Sequence, residues 1–220
     1  MIKKLCWILG CVLFFSNSPI AGGFLHHVEH RGDELTYGYY VPETVTAEPD
    51  AIILVPDLED PGESMIDSKW LALSEETGRP IIAPPLLIGD REPRKMLSEG
   101  HLRAIFKQFS EKGIHIQHLY MAGFSAGAEF VRRYSLNHSN WVKKCAIGVS
   151  SEDKPVDRSS PVKFFYGIVA SGEEDYQQQV DMFAKQEEKY GVFVERKIYP
   201  YTGQIYTAEM EDDFIRFLTD

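Results

Sequence analysis

Two hydrophobic periods alternate along this chain. Short apolar runs predict buried strands, and longer stretches with apolar residues at helical spacing predict amphipathic helices. In "LSEGHLRAIFKQFSEK", Leu102, Ile105, Phe106 and Phe109 recur at that spacing before Gly113 ends the helix. The predicted strands are FLHHVEH, LTYGYYV, AIILVP, PIIAP, IQHLYMA, KKCAIGVS, PVKFFYGIVA and VFVERKIY. The predicted helices are SMIDSKWLALSEET, LSEGHLRAIFKQFSEK, one that starts near Ala126, EEDYQQQVDMFAKQEEKY and YTAEMEDDFIRFL.

The order of these elements predicts the architecture. Arg31-Gly32-Asp33 lies between the first two strands and predicts a hairpin turn. Repeated strand-helix units follow the hairpin, which implies a mostly parallel sheet with helices on both faces and right-handed crossovers. Ligands bind such sheets at the carboxyl ends of the strands. Segment 151–160, between two predicted strands, is short and polar, so we expect no lid domain and an open site.

The first 21 residues differ from the rest of the chain. Lys3 and Lys4 precede the apolar run from Leu5 to Phe15, and small and polar residues follow. This pattern predicts a signal peptide, 1–21, with cleavage after Ala21 and a single domain over 22–220. An uncleaved membrane anchor and a lipid attached at Cys11 remain as alternatives.

Charge and cysteine content narrow the class of protein. The net charge is −10, and loss of residues 1–21 would remove two lysines and make it more negative. Such a surface repels phosphate groups, so we expect no nucleic-acid partner and no membrane partner after cleavage. Cys145 would be the only remaining cysteine, and we interpret it as a core residue of its strand rather than a metal ligand or nucleophile.

The stretch "YMAGFSAGAEF" carries the candidate chemistry. Ser125 is placed where an apolar strand turns directly into an amphipathic helix, with Gly123 and Gly127 two residues on either side. Glycines at these positions allow a strained turn that projects the serine above the sheet. The amide of Ala126, at the helix start, can meet a developing oxyanion. An ordinary strand-helix turn is the alternative interpretation.

With this elbow, the chain resembles small α/β-hydrolases of the polyhydroxybutyrate depolymerase and feruloyl esterase-like group. The resemblance also rests on "YGYYVP", "VKFFYGIVASGEED" and "GVFVERKIYPYTGQ", and it covers nearly the whole of 22–220. It implies an α/β-hydrolase fold and a nucleophile, acid and histidine in that chain order. We expect no cofactor and no metal.

The resemblance assigns the remaining triad positions and exposes a departure. Asp175, in Gly172-Glu173-Glu174-Asp175, matches the family's acid, although an acid favoured by the helix start is an alternative interpretation. The family's histidine follows a glycine after the last strand, but here Gly203 is followed by Gln204. All seven histidines lie at or before position 138. A glutamine amide cannot accept and return the serine proton as an imidazole does.

A second departure lies after the first central strand. Related hydrolases have histidine-glycine there, whereas this chain has Val55-Pro56-Asp57-Leu58. Proline has no N–H to donate, and a carboxylate at Asp57 would oppose negative charge developing near the elbow. The amide of Leu58 remains available as an oxyanion donor. Together, Asp57 and Asp175 would favour cationic or polyhydroxylated ligands.

The segment "HHVEH" invites a metal interpretation. His26 and His30 would share one face of a helix, but on a strand they lie about 13 Å apart, too far for one ion. The segment is predicted to be a strand, so we expect no metal site there.

The sequence therefore predicts an exported, periplasmic or secreted, single-domain α/β-hydrolase related to serine esterases, with impaired or absent hydrolase activity. Two alternatives stay open: an active carboxylic ester hydrolase that uses Ser125 with a non-standard base, and a ligand-binding or scaffold protein. The expected ligand class is a small molecule or an ester, and the sequence does not identify a protein partner.

Overall fold

The structure is a computed structural model that describes residues 24–88, 95–148, 160–169, 174–200 and 206–220. Ten strands lie in these ranges. They are β1 (Phe24–His30), β2 (Asp33–Tyr40), β3 (Ala51–Val55), β4 (Ile81–Ala83), β5 (Leu87–Ile88), β6 (Lys95–Met96), β7 (Leu119–Phe124), β8 (Val142–Gly148), β9 (Lys163–Val169) and β10 (Phe193–Tyr199).

Eight of these strands form one sheet in the order β1-β2-β4-β3-β7-β8-β9-β10. β1 pairs antiparallel with β2, and β2 pairs antiparallel with β4. The remaining pairs are parallel. The predicted N-terminal hairpin and mostly parallel sheet are therefore confirmed. The antiparallel ribbon of β5 and β6 was not predicted, because each strand has only two residues and β6 is exposed.

The described ranges contain five α-helices, of which the first four lie between strands and the last follows β10: α1 (Ser68–Thr77), α2 (Glu99–Glu111), α3 (Ala126–Asn137), α4 (Glu174–Lys189) and α5 (Ala208–Thr219). The sequence pattern predicted that the first of these would begin four residues earlier, at Ser64. Residues Gly62–Met65 instead form a separate 3-10 helix, and Asp67 begins α1 by accepting hydrogen bonds from the amides of Lys69 and Trp70. No helix in the described ranges is long and apolar enough to cross a membrane.

The helices cover both faces of the sheet, and successive residues of the central strands alternate between two cores. Ile53 and Val55 of β3 pack on the face covered by α2 and α3. Ile52 and Leu54 pack on the other face, against Trp70 of α1 and side chains of α5. All five residues of β3 are buried, as expected for a central parallel strand. Because both faces of β3 are packed and β7 is its neighbour in the sheet, the loop after β3 is held beside the end of β7.

Candidate active site

Ser125 has the backbone conformation of a strained strand-to-helix turn. It lies between β7 and α3 with φ 52° and ψ −122°, and Arg31 is the one other non-glycine residue with positive φ in the described ranges. Such a conformation costs about 1–3 kcal/mol and persists only where the surroundings enforce it. The Ser125 amide donates to the carbonyl oxygen of Gly148 at 2.8 Å, which ties the turn to the end of β8.

The two flanking glycines are required by close backbone contacts. A Cβ atom on Gly123 would lie 2.6 Å from the carbonyl oxygen of Gly127. A Cβ atom on Gly127 would lie 2.2 Å from the carbonyl oxygen of Pro56 and 2.3 Å from that of Val55. These distances are far below van der Waals contact, so both positions exclude any side chain. The Gly-x-Ser-x-Gly pattern thus serves to pack the turn against the loop after β3.

The carboxylate of Asp57 lies beside the elbow, between two backbone amides. Its Oδ1 accepts a hydrogen bond from the Leu58 amide at 2.7 Å and from the Ala126 amide at 3.3 Å. The parallel pairing of β3 with β7, which sets Val55 opposite Gly123, brings the two segments together. Both amides that the sequence nominated as oxyanion donors therefore point at one carboxylate oxygen of this chain.

The other two predicted triad positions are less completely described. Asp175 is the second residue of α4, which follows β9, and its side chain lies outside the described part of the structure. Gln204 falls within 201–205, outside the described residues. The roles assigned to Ser125, Asp175 and Gln204 stay predictions.

A cavity of about 340 Å³ lies beside the elbow. This volume is in the range of small-molecule sites. Its wall comes from the loop after β3, the 3-10 helix, the residue before Ser125 and the start of α5. Four carboxylates and two aromatic rings contribute: Asp57, Asp60, Asp67, Glu211, Phe124 and Tyr206.

Glu211 is the most buried of these carboxylates. Its Oε1 accepts a hydrogen bond from Trp70 Nε1 at 3.0 Å, and its Oε2 lies 3.3 Å from Lys69 Nζ. Burial, followed by the nearby charge of Asp67, raises the pKa of the Glu211 carboxyl, and contacts with Lys69 and Trp70 only partly oppose the shift. The protein thus holds a carboxylate where ionisation is unfavourable.

Sequence reasoning missed three acids of this cavity: Asp60, Asp67 and Glu211. One signal was present for Glu211, because it precedes Phe214 by three residues and Leu218 by seven and so shares the buried face of α5. Asp67 carried the mark of a helix N-cap, which gave no indication of a cavity. Asp60 had no sequence signal.

The sequence also suggested interpretations of Cys145 and of the histidines in HHVEH, and the structure describes both segments. Cys145 is fully buried in β8, and burial raises the pKa of its thiol, which is consistent with a core role. His26 and His30 lie on strand β1, as predicted. Across the described ranges, no group of three or more His, Cys, Asp or Glu side chains could hold a metal ion.

Comparison with solved structures supports the fold. No protein-family model and no curated protein sequence matches the chain. Among solved structures, it is similar to an S-formylglutathione hydrolase from Agrobacterium tumefaciens, with a TM-score of 0.71 and 12% identity over 93% of this chain and 96% of that one.

Two further structures show the same similarity. A putative dienelactone hydrolase from Klebsiella pneumoniae has a TM-score of 0.67 and 15% identity, covering 92% of this chain and 98% of that one. A ferulic acid esterase has a TM-score of 0.68 and 13% identity, covering 89% and 97%. The protein therefore has the α/β-hydrolase fold predicted from its sequence.

Proposed function

We propose that this chain is an exported α/β-hydrolase-fold protein, related to serine esterases, in which hydrolase activity at Ser125 is impaired or absent. The observation that carries the proposal is the position of Asp57. Its Oδ1 accepts hydrogen bonds from the amides of Leu58 and Ala126, the two donors that an ester hydrolase would need for its oxyanion.

Electrostatics explains why Asp57 should slow hydrolysis at Ser125. In acyl transfer, backbone amides stabilise negative charge that develops on the carbonyl oxygen of the substrate. Here those amides already stabilise a carboxylate, and a second negative charge would be repelled by the first. The loss of a single oxyanion donor costs about 10²–10³ in kcat, so a site with both donors engaged should be slow even with an intact triad.

The sequence adds a second, independent reason. Gln204 takes the position that matches the family's histidine, so no imidazole would remove the proton of Ser125. Removal of one triad member typically lowers kcat by several orders of magnitude. The two changes act on different parts of the reaction, proton transfer and charge stabilisation.

One observation favours the alternative of an active esterase with a non-standard base. The strained conformation of Ser125, with both flanking glycines packed against backbone, is the geometry of a working nucleophile. Turnover of short-chain nitrophenyl esters by the wild-type protein and by Ser125→Ala separates the two functions. The proposal expects equal, near-background rates from both. Wild-type turnover that Ser125→Ala abolishes would establish the alternative.

Export rests on the pattern of residues 1–21. Intact-mass measurement of the protein recovered from outside the cytoplasm should give a chain that begins near Gly22. A mass that retains residues 1–21, or that includes a lipid on Cys11, would contradict this part of the proposal.

A further inference from the structure

The cavity beside the elbow combines negative charge with an apolar wall. Of its lining residues, Asp57, Asp60, Asp67 and Glu211 carry carboxylates, while Met65 and Phe124 supply apolar surface. A volume of about 340 Å³ accommodates a compact ligand of drug-fragment size.

The described residues place few cations beside these carboxylates. Within the described ranges Lys69 is the one cation in contact with them, and it contacts Glu211 alone, at 3.3 Å. Asp57 and Asp67 each use Oδ1 to accept two backbone amides. Backbone amides carry no formal charge, so these hydrogen bonds add no cation to the site. Among the described residues, carboxyl groups at the cavity therefore outnumber cations, on a chain whose net charge is −10.

A second observation concerns Tyr206, which lines the same cavity. Its hydroxyl oxygen is buried and has no well-formed hydrogen bond in the described part of the chain, because the Trp70 indole N–H beside it donates to Glu211. Burial and the charge of Glu211 raise the pKa of the phenol, so the hydroxyl stays neutral. A buried polar atom with no partner is rare in folded proteins and is often completed by a ligand or water.

We propose that this cavity is a binding site for a small primary ammonium compound with an apolar body. A primary ammonium group offers three N–H donors and a full positive charge, which suit several carboxylate acceptors and a phenolic oxygen. The apolar body of the ligand packs against Phe124 and Met65. This inference goes beyond the proposed function and does not depend on whether Ser125 is reactive.

An organic cation fits better than a metal ion. Calcium and magnesium require several oxygen ligands at about 2.0–2.6 Å around one centre. No such convergent group of side chains exists among the residues that the structure describes. The carboxylates are instead spread over a cavity partly walled by apolar groups, which matches a ligand with a charged head and an apolar remainder.

Calorimetric titration of the purified protein tests the site. The probes are phenethylammonium, cyclohexylmethylammonium and butylammonium, with 2-phenylethanol as the neutral analogue, 3-phenylpropanoate as the anionic one, and calcium chloride as the metal. We expect at least one ammonium probe to bind with one-to-one stoichiometry, more weakly at higher salt, while the neutral and anionic analogues bind at least about five-fold more weakly.

Two variants and a control assign the binding to this cavity. Asp60→Asn and Asp67→Asn each remove one charge from its wall, and asparagine at position 67 preserves the helix cap. Each should weaken binding by about two- to five-fold. Glu76→Gln removes the same charge from an exposed position of α1 outside the cavity and should leave affinity unchanged.

Several results would overturn the inference. These are failure of all three ammonium probes to bind, equal affinity for phenethylammonium and 2-phenylethanol, or an equal effect of Glu76→Gln and Asp60→Asn. Tighter binding of calcium, lost in Asp60→Asn, would replace the organic cation with a metal. The titration is repeated with Ser125→Ala, so that ligand binding is judged separately from any turnover.

Discussion

Oδ1 of Asp57 lies 3.3 Å from the backbone nitrogen of Ala126 and accepts its hydrogen bond. The same oxygen accepts the Leu58 amide at 2.7 Å. In a serine hydrolase these two amide positions meet the oxygen of the substrate, so the carboxylate of Asp57 stands in for a tetrahedral oxyanion. The structure thus combines a strained turn at Ser125 with a carboxylate of the same chain hydrogen-bonded to the amide that follows the serine.

Substituting Gln204 and then Asp57 should restore the reactivity of Ser125 in two steps. We expect Gln204→His to raise the rate at which a fluorophosphonate probe labels Ser125, provided that Asp175 orients the new imidazole. Adding Asp57→Gly should raise it by a further factor of about ten to a hundred, because the Ala126 and Leu58 amides become available. Labelling rates on intact protein measure both effects.

Asp57→Asn is the matched control for that second step. It removes the charge but retains a side-chain oxygen that can accept the same two amides. It should therefore accelerate labelling less than Asp57→Gly does. Equal acceleration by both variants would mean that charge alone, and not occupation of the amides, limits the site.

The packing of the elbow predicts a large cost for a single methyl group. Gly127→Ala should lower the free energy of unfolding by about 2–4 kcal/mol, because the new Cβ would collide with the carbonyl oxygens of Pro56 and Val55. Gly113→Ala is the comparison. Gly113 has φ +82°, and beyond its chain neighbours no atom in the described ranges lies within 4 Å of the added methyl group. Gly113→Ala should therefore lower the free energy of unfolding only through the strained backbone conformation, by about 1 kcal/mol. Urea unfolding measures both, and equal costs would refute the tight elbow packing.

A buried ion pair links α3 to α4. Arg132 Nη2 lies 2.9 Å from Glu187 Oε1, and the hydroxyl of Tyr166 donates to the same carboxylate. Both charged side chains are almost fully buried. Arg132→Met should cost about 3–5 kcal/mol of unfolding free energy, because it leaves the Glu187 carboxylate without its cation in the interior.

The neighbouring arginine provides the comparison for that change. Arg133 pairs with Glu129 on the exposed side of α3 at 3.5 Å, and Arg133→Met should cost less than about 0.5 kcal/mol. Unfolding of both variants in urea gives the two costs. Similar values would show that burial does not set the contribution of the Arg132 pair.

Glu211 predicts a specific pH dependence of stability. Its carboxyl pKa is raised in the folded protein, chiefly by burial, so the native state binds a proton more tightly than the unfolded chain does. Its contribution to stability is therefore present at low pH and is lost as pH rises from the unfolded pKa, about 4.5, through the raised folded value. Glu211→Gln, which retains an acceptor for Trp70, should become more stable relative to wild type across that interval.

Thermal unfolding at several pH values measures this difference. Asp212→Asn serves as the control, since Asp212 also contacts Lys69 but its side chain is 66% exposed. The relative stability of Asp212→Asn should change less with pH than that of Glu211→Gln. A flat difference for Glu211→Gln would contradict the unfavourable ionisation of Glu211.

The fold could be predicted because its signals are local. The five-residue apolar run of β3 and the turn residues at the hairpin each indicate one element, and their order determines a mostly parallel sheet. The strained serine could also be predicted, since glycines at 123 and 127, on either side of a serine at a strand-helix junction, are the residues that such a turn requires. The separate 3-10 helix at 62–65 could not, because its boundary depends on the Asp67 cap.

The cavity could not be predicted from the sequence, and the reason is physical. Asp57, Asp67 and Glu211 come from three separate segments of the chain, and they meet only after α1 and α5 pack on the same face of the sheet. The sequence predicted a carboxylate at Asp57 near the elbow but did not reveal that it accepts the Leu58 amide. That contact depends on the local turn after β3, which periodicity does not encode.

Fluorophosphonate labelling of the wild-type protein, beside Ser125→Ala, tests the central claim most directly. With the Ala126 and Leu58 amides engaged by Asp57, and with glutamine at the histidine position, wild type should be labelled no faster than Ser125→Ala. Rapid labelling of wild type that disappears in Ser125→Ala would show that Ser125 is an activated nucleophile and would contradict the account.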